Sequence, residues 1–170
     1  SACLVGSEMC IRDRCTATQP KFSGLLREED MSREIIESPK ELFEAFKRVN
    51  IKNLGMLLDV ELSAILRNEE KALCIVNTRN HAKALYDSIS DLENVFHLSA
   101  RMCPMHRRQI LEVIREKLKA EGEPCRVVST QLIEAGVDID FPSVYRAMSG
   151  LDSIAQAAGR CNREGRLRSG

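Results

Sequence analysis

The sequence predicts an α/β fold, a parallel sheet flanked by helices on both faces. Three observations carry that expectation. Compact apolar runs at 72–76, 95–98, 125–129 and 144–148 have the length and polar bounding of buried strands. Stretches with apolar residues at helical spacing lie between them. Alternation of the two implies right-handed crossovers, which place helices on both sides of a parallel sheet.

The elements are taken in chain order. Residues 1–14, SACLVGSEMCIRDR, show neither periodicity, and SEMCIRDR resembles translated sequencing-adapter read-through; this stretch is expected to be a foreign or disordered leader. Residues 21–30 read as a polar loop and 33–37 as a short strand. Ser38-Pro39-Lys40-Glu41 is a capping box with proline at the first helical position. Leu42, Phe43, Phe46 and Val49 would give that helix its apolar face. A second helix is expected near Asp59, with Leu58, Leu62, Ile65 and Leu66 inward. Ala82, Leu85, Tyr86 and Ile89 mark a third, and Ile110, Leu111, Ile114 and Leu118 a long fourth that starts after Pro104 and ends at Gly122. The last helix is expected over 153–161.

Bulk properties narrow the function classes. A chain of 170 residues suits one domain with a full core. No apolar stretch reaches the ~20 residues of a membrane helix, and the start lacks the order of a signal peptide. Twenty-five Lys and Arg balance 25 Asp and Glu, so no global field draws in nucleic acid; binding would rest on local patches. Arg101, Arg107 and Arg108 form one such cluster and Arg160, Arg163, Arg166 and Arg168 another, although a solvated face is the commoner meaning of such clusters. Seven cysteines contain no C-x-x-C pair and no histidine at finger spacing, which points to no metal and to reduced, cytosolic thiols.

Two segments stand out, VVSTQLIEAGVDIDF at 127–141 and QAAGRCNREG at 156–165. Gln156, Arg160 and Arg163 recur at helical intervals and so would share one face. Arginines so placed suit the phosphates of a nucleotide. Alternatively, Gln156 completes a Ser153-x-x-Gln156 capping box and the arginines serve solubility. Ser129-Thr130-Gln131 is a polar turn at the C-terminal end of a strand, where open α/β sheets bind ligands. Gly136 permits close backbone approach, and Asp138 could contact a ribose or set the arginines, or simply cap a turn. Asn77-Thr78-Arg79 ends another strand, and polar groups there suit phosphates of a single strand.

In order and wording these segments resemble motifs V and VI of superfamily 2 helicases. VSTQLIEAGVDID and QAAGRCNREG most resemble the CRISPR-associated helicase-nuclease of type I systems, with Asn77-Thr78-Arg79 as motif IV and TATQP at 16–20 as motif III. The resemblance implies a RecA-like second motor domain over 38–170, truncated at its C-terminal side, with 15–37 as the tail of the first motor domain and a linker. It implies that Arg163 is an arginine finger, that Arg160 holds phosphates and that Gln156 positions water or closes the cleft. Gly136 and Asp138 would line the ATP site. Asn77, Thr78, Arg79, Ser99, Arg101, Ser129, Thr130 and Gln131 would hold nucleic acid, and Thr16 and Thr18 would couple the two activities. ATP with magnesium is the implied cofactor. The implied partners are single-stranded DNA and a Cascade-type surveillance complex, with no membrane partner, and the implied location is the cytoplasm of a prokaryote. No Walker A loop, DExH box or nuclease His-Asp pair occurs in the chain, so this portion alone is expected to be inactive. The alternatives are another superfamily 2 DNA or RNA helicase, or a non-catalytic nucleic-acid-binding lobe of the same fold.

Overall fold

The computed structural model describes residues 37–133 and 137–165. The expected leader, the 15–37 tail with Thr16 and Thr18, and Gly136 therefore lie outside the described residues, Glu37 excepted. The chain divides after Glu37 into two units, and the second, from Ser38 onward, holds every element named below.

Four strands form one sheet: β1 (Lys71–Ile75), β2 (Val95–Leu98), β3 (Cys125–Ser129) and β4 (Ser143–Arg146). Their order is β2-β3-β1-β4 and all pairings are parallel. The helices are α1 (Pro39–Ala45), α2 (Asp59–Asn68), α3 (Arg79–Ile89), α4 (Pro104–Lys119) and α5 (Leu151–Ala158). This is the α/β architecture that the alternation of apolar runs predicts.

Both faces of the sheet are buried because successive strand residues point to opposite sides. Leu73 and Ile75 of β1 join Val127, Leu111, Ile114, Phe141 and Ala157 in one core. Ala72 and Cys74, between and beside them, join Val128, Leu66, Ala82, Leu85 and Ile89 in the other. The central strand thus has no polar face, which is why its sequence reads as an uninterrupted apolar run. Burial pushes the Cys74 thiol up to about 12 and that of Cys125 up to about 11, so both act as small hydrophobes.

Cations from the sheet close two helix ends. Lys71 Nζ donates to the carbonyls of Leu118 (3.1 Å) and Ala120 (2.6 Å) at the end of α4. Arg126 Nε donates to the Leu66 carbonyl (2.9 Å) at the end of α2. Both satisfy carbonyls that the helix itself cannot, and both place positive charge at the negative end of the dipole. Gly122 turns the chain after α4 at φ +72°, as its position predicts.

Three expectations are corrected. The first helix stops at Ala45, and two of its intended inward residues are open to solvent, Leu42 at 41% and Phe46 at 59%, while Val49 lies beyond its end and is half-buried. Ser38 makes no side-chain cap, and only two turns form. Leu58 precedes α2 and is exposed, while its N–H donates to the Glu61 carboxylate at 2.7 Å. Ile51, Leu54, Met56 and Val60 are likewise exposed, an apolar stretch that no described residue covers.

The third correction is to α5. It starts at Leu151, so Ser153 lies inside the helix and no Ser-x-x-Gln capping box exists. It ends at Ala158, three residues short of the expected limit. Beyond it Cys161 pairs with Phe141 in a parallel bridge: Phe141 N–H donates to the Arg160 carbonyl (2.9 Å), and Asn162 N–H donates to the Phe141 carbonyl (3.0 Å). These bonds commit the backbone of 160–162 to the sheet side, so the helix cannot continue. Arg160 and Arg163 therefore do not share a helical face with Gln156.

Candidate functional site

Arg163 and Asp138 meet in the loop beyond α5. The Arg163 guanidinium pairs with the Asp138 carboxylate, both side chains being largely exposed. Asp140, two residues on, accepts the backbone N–H of Arg163 (2.7 Å) and of Glu164 (3.1 Å) on its two oxygens. In extended backbone residues two apart lie on one side, so Asp138 and Asp140 can address the same loop. Ile139 between them is buried. One carboxylate thus holds the Arg163 side chain and the other its main chain.

Arg160 adds a second positive charge. Its guanidinium is held below its ordinary range first by burial and then by the Arg163 charge, with Asp138 opposing. Arg160 thus feels the charges of both Arg163 and Asp138. Arg115 of α4 joins them through its Nε donated to the Asp138 carbonyl (3.1 Å). An exposed guanidinium paired with a carboxylate beside a second arginine can exchange that partner for another anion. Gln156 is exposed on α5.

The polar residues expected to hold nucleic acid lie elsewhere. In a parallel sheet all strands end on one rim, and Asn77, Thr78 and Arg79 follow β1 there, Ser99 and Arg101 follow β2, and Thr130 and Gln131 follow β3. Phe141 comes two residues before Ser143, which pairs with Ala72 near the start of β1. The arginine loop bonded to Phe141 thus sits toward the opposite end. The sheet separates the two sets of residues by its own length.

Within the rim, availability varies. Ser129 is fully buried and its hydroxyl donates to the carbonyls of Leu98 (3.3 Å) and Thr130 (3.0 Å), so it faces the interior rather than a phosphate. Thr130 is almost covered and Gln131 exposed. Thr78 caps α3, its hydroxyl oxygen accepting His81 N–H (3.2 Å). Asn77 donates to the Met148 carbonyl (2.8 Å) and accepts from Arg146 (2.6 Å), tying the end of β1 to the end of β4. Ser99 is buried and accepts the Arg101 N–H (3.2 Å), leaving the Arg101 side chain outside. Arg79 and Arg101 are the exposed cations among the expected set.

Sequence reasoning missed Asp140, Arg48, Asn162 and Arg146. Asp140 was within reach, because the D-x-D spacing of Asp138 and Asp140 is itself a one-sided pattern. Arg48 had no local signal, since its contact lies 115 residues away. His97 is half-buried on β2, stacked on Tyr86 at 5.6 Å between ring centres.

Comparison with known proteins gives one consistent answer. Residues 68–166 match the family described as CRISPR-associated nuclease/helicase Cas3, C-terminal. The CRISPR-associated nuclease/helicase Cas3 of Methanothermobacter thermautotrophicus is 33% identical over 130 residues, 76% of this chain and 14% of that protein. That of Haloferax volcanii is 48% identical over 66 residues, 39% of this chain and 7% of the other. The chain thus spans a small part of each relative. The crystal structure of T. fusca Cas3-ATP superposes with a TM-score of 0.55 at 22% identity, covering 72% of this chain and 16% of that one. A chain of a CRISPR RNA-guided surveillance complex, pre-nicking, does so with a TM-score of 0.51 at 25% identity, over 68% and 15%.

Proposed function

Since the chain belongs to the family of CRISPR-associated nuclease/helicase Cas3 C-terminal regions, as a RecA-like helicase domain, we propose that it is the second motor lobe of an ATP-dependent single-stranded DNA translocase. The observation that carries this reading is the cluster of Arg160, Arg163 and Asp138. ATP, when bound by the intact protein, supplies the transferring phosphoryl group. Arg163 is the side chain that neutralises charge on it, a role worth on the order of 10³–10⁵ in rate. Arg160 holds the neighbouring phosphates, and Asp138 releases Arg163 as they arrive. The donor set fits: two guanidinia with their own exchangeable counter-ion. Gln156 orders water or closes the cleft beside them.

Magnesium has no protein cage here. Among the described residues no group of three His, Cys, Asp or Glu side chains could hold a metal ion. Its ligands belong to the first motor lobe, together with the phosphate loop that this sequence lacks. At the rim, Arg79 and Arg101 with Asn77, Thr78 and Gln131 track the phosphates of one DNA strand, so binding weakens steeply with salt. The surveillance complex as recruiter rests on the likeness to a chain of such an assembly. No helix among the described residues is long and apolar enough to cross a membrane.

The test is Arg163→Ala in the full-length protein. ATP hydrolysis is expected to fall at least a thousandfold while single-stranded DNA affinity stays within twofold. Turnover within threefold of the parent would overturn the assignment.

A further inference from the structure

The loop that carries Arg163 is held from two sides. Asp140 takes the N–H groups of Arg163 and Glu164 on one side. On the other stands Arg48, in the segment between α1 and α2. Its Nη1 donates to the Arg163 carbonyl, and its own carbonyl accepts from Asn162 Nδ2 at 2.9 Å. Its stem passes beside Gly165, where an added Cβ would stand 3.7 Å from Nε, and its guanidinium lies 5.9 Å from the Phe46 ring centre. Asn162 is 2% exposed and sits at φ +46°, a left-handed conformation that asparagine adopts more readily than most residues.

We infer that Arg48 is a positioning residue for Arg163. The inference rests on the phosphate-directed reading of Arg163. With Asp140 bonded to the Arg163 N–H and Arg48 to its carbonyl, both polar groups of that residue's main chain are fixed. Only the side chain is left to move, from Asp138 to an incoming phosphate. A preorganised arginine costs little reorganisation when charge develops on the transferring group. Loosening its backbone therefore lowers the rate of the chemical step and leaves ground-state nucleotide binding nearly unchanged. A displacement of about 1 Å in such a group can cost on the order of 100-fold.

Arg48→Met keeps the apolar stem beside Phe46 and Gly165 and deletes the donors. In the full-length protein it is expected to lower kcat for ATP 10- to 100-fold with KM within twofold. Arg48→Lys, which restores one donor, should recover at least a third of the lost rate on a logarithmic scale. Amide exchange at Arg163 and Glu164 should quicken at least tenfold in Arg48→Met while amides of β1 and β3 keep their protection. Arg163→Ala is measured alongside. If it leaves turnover intact, the reading of Arg163 fails. If it abolishes turnover while Arg48→Met stays within threefold of the parent and exchange is unchanged, the positioning role is overturned. A variant whose β1 and β3 amides lose protection as well would show Arg48 to be a general support of the fold, which also overturns it.

Discussion

Asp140→Ala should loosen the arginine loop without unfolding the domain. The carboxylate accepts two main-chain N–H groups, at 2.7 and 3.1 Å, from consecutive residues. A hydrogen bond to a charged group contributes about 1.5–3 kcal/mol where water is excluded, and less where it is not. Asp140 is half-buried, and Arg163 and Glu164 are exposed, so water can re-solvate both donors once the acceptor is gone. The loss expected for the pair is therefore about 1–2 kcal/mol in total, below that range for each bond. Such a difference is roughly a factor of 5–30 in a local opening equilibrium. The assay is amide exchange at Arg163 and Glu164, read against β1 and β3 as internal references. Asp140→Asn keeps one acceptor oxygen and should fall between parent and alanine. Exchange within twofold of the parent in Asp140→Ala would refute the view that this carboxylate holds the loop.

Two further outcomes concern the core and the response to pH. Phe141 is fully buried and its backbone carries the bridge to Cys161, so Phe141→Ala should cost about 3–5 kcal/mol in urea denaturation, and a loss under about 1.5 kcal/mol would contradict that placement. His97 is held below its ordinary range first by burial and then by the Lys83 charge, with Asp87 opposing. Its Nε2 has no hydrogen-bond partner among the described residues. The unfolded chain therefore takes up a proton at higher pH than the folded one, so the contribution of His97 to stability is present above pH ~6.5 and is lost as pH falls below it. His97→Phe should accordingly lose less melting temperature than the parent between pH ~6.5 and ~5; equal slopes would show that His97 does not titrate this way.

Much of the fold was readable because each strand and crossover helix carries its own period. Ala72–Val76 has no polar face to hide, and Ala82, Leu85 and Ile89 fall on one side of α3 by spacing alone. Arg160 and Arg163 show where such reading stops. Their three-residue interval is helical, yet the bridge between Phe141 and Cys161 ends the helix first. That pairing joins positions 20 apart through backbone atoms, about which side-chain identity says nothing. Ser129 illustrates a second limit: a hydroxyl at a strand end is equally able to face a ligand or a neighbouring carbonyl, and here it takes the carbonyl. Arg48 illustrates a third, since one ordinary surface-type arginine gains its meaning only from a partner far along the chain. The exposed face of α1 adds a fourth, for amphipathic spacing states which side would be buried and not whether anything covers it.

Helix α5 has a mechanical consequence. It begins three residues after Met148, whose carbonyl Asn77 grips, and it ends two residues before Arg160. Its eight helical residues make a strut of about 12 Å. Such a strut bends far less than the turns at its two ends, so it fixes the spacing between those turns. One short helix spans the distance between the polar rim and the arginine loop.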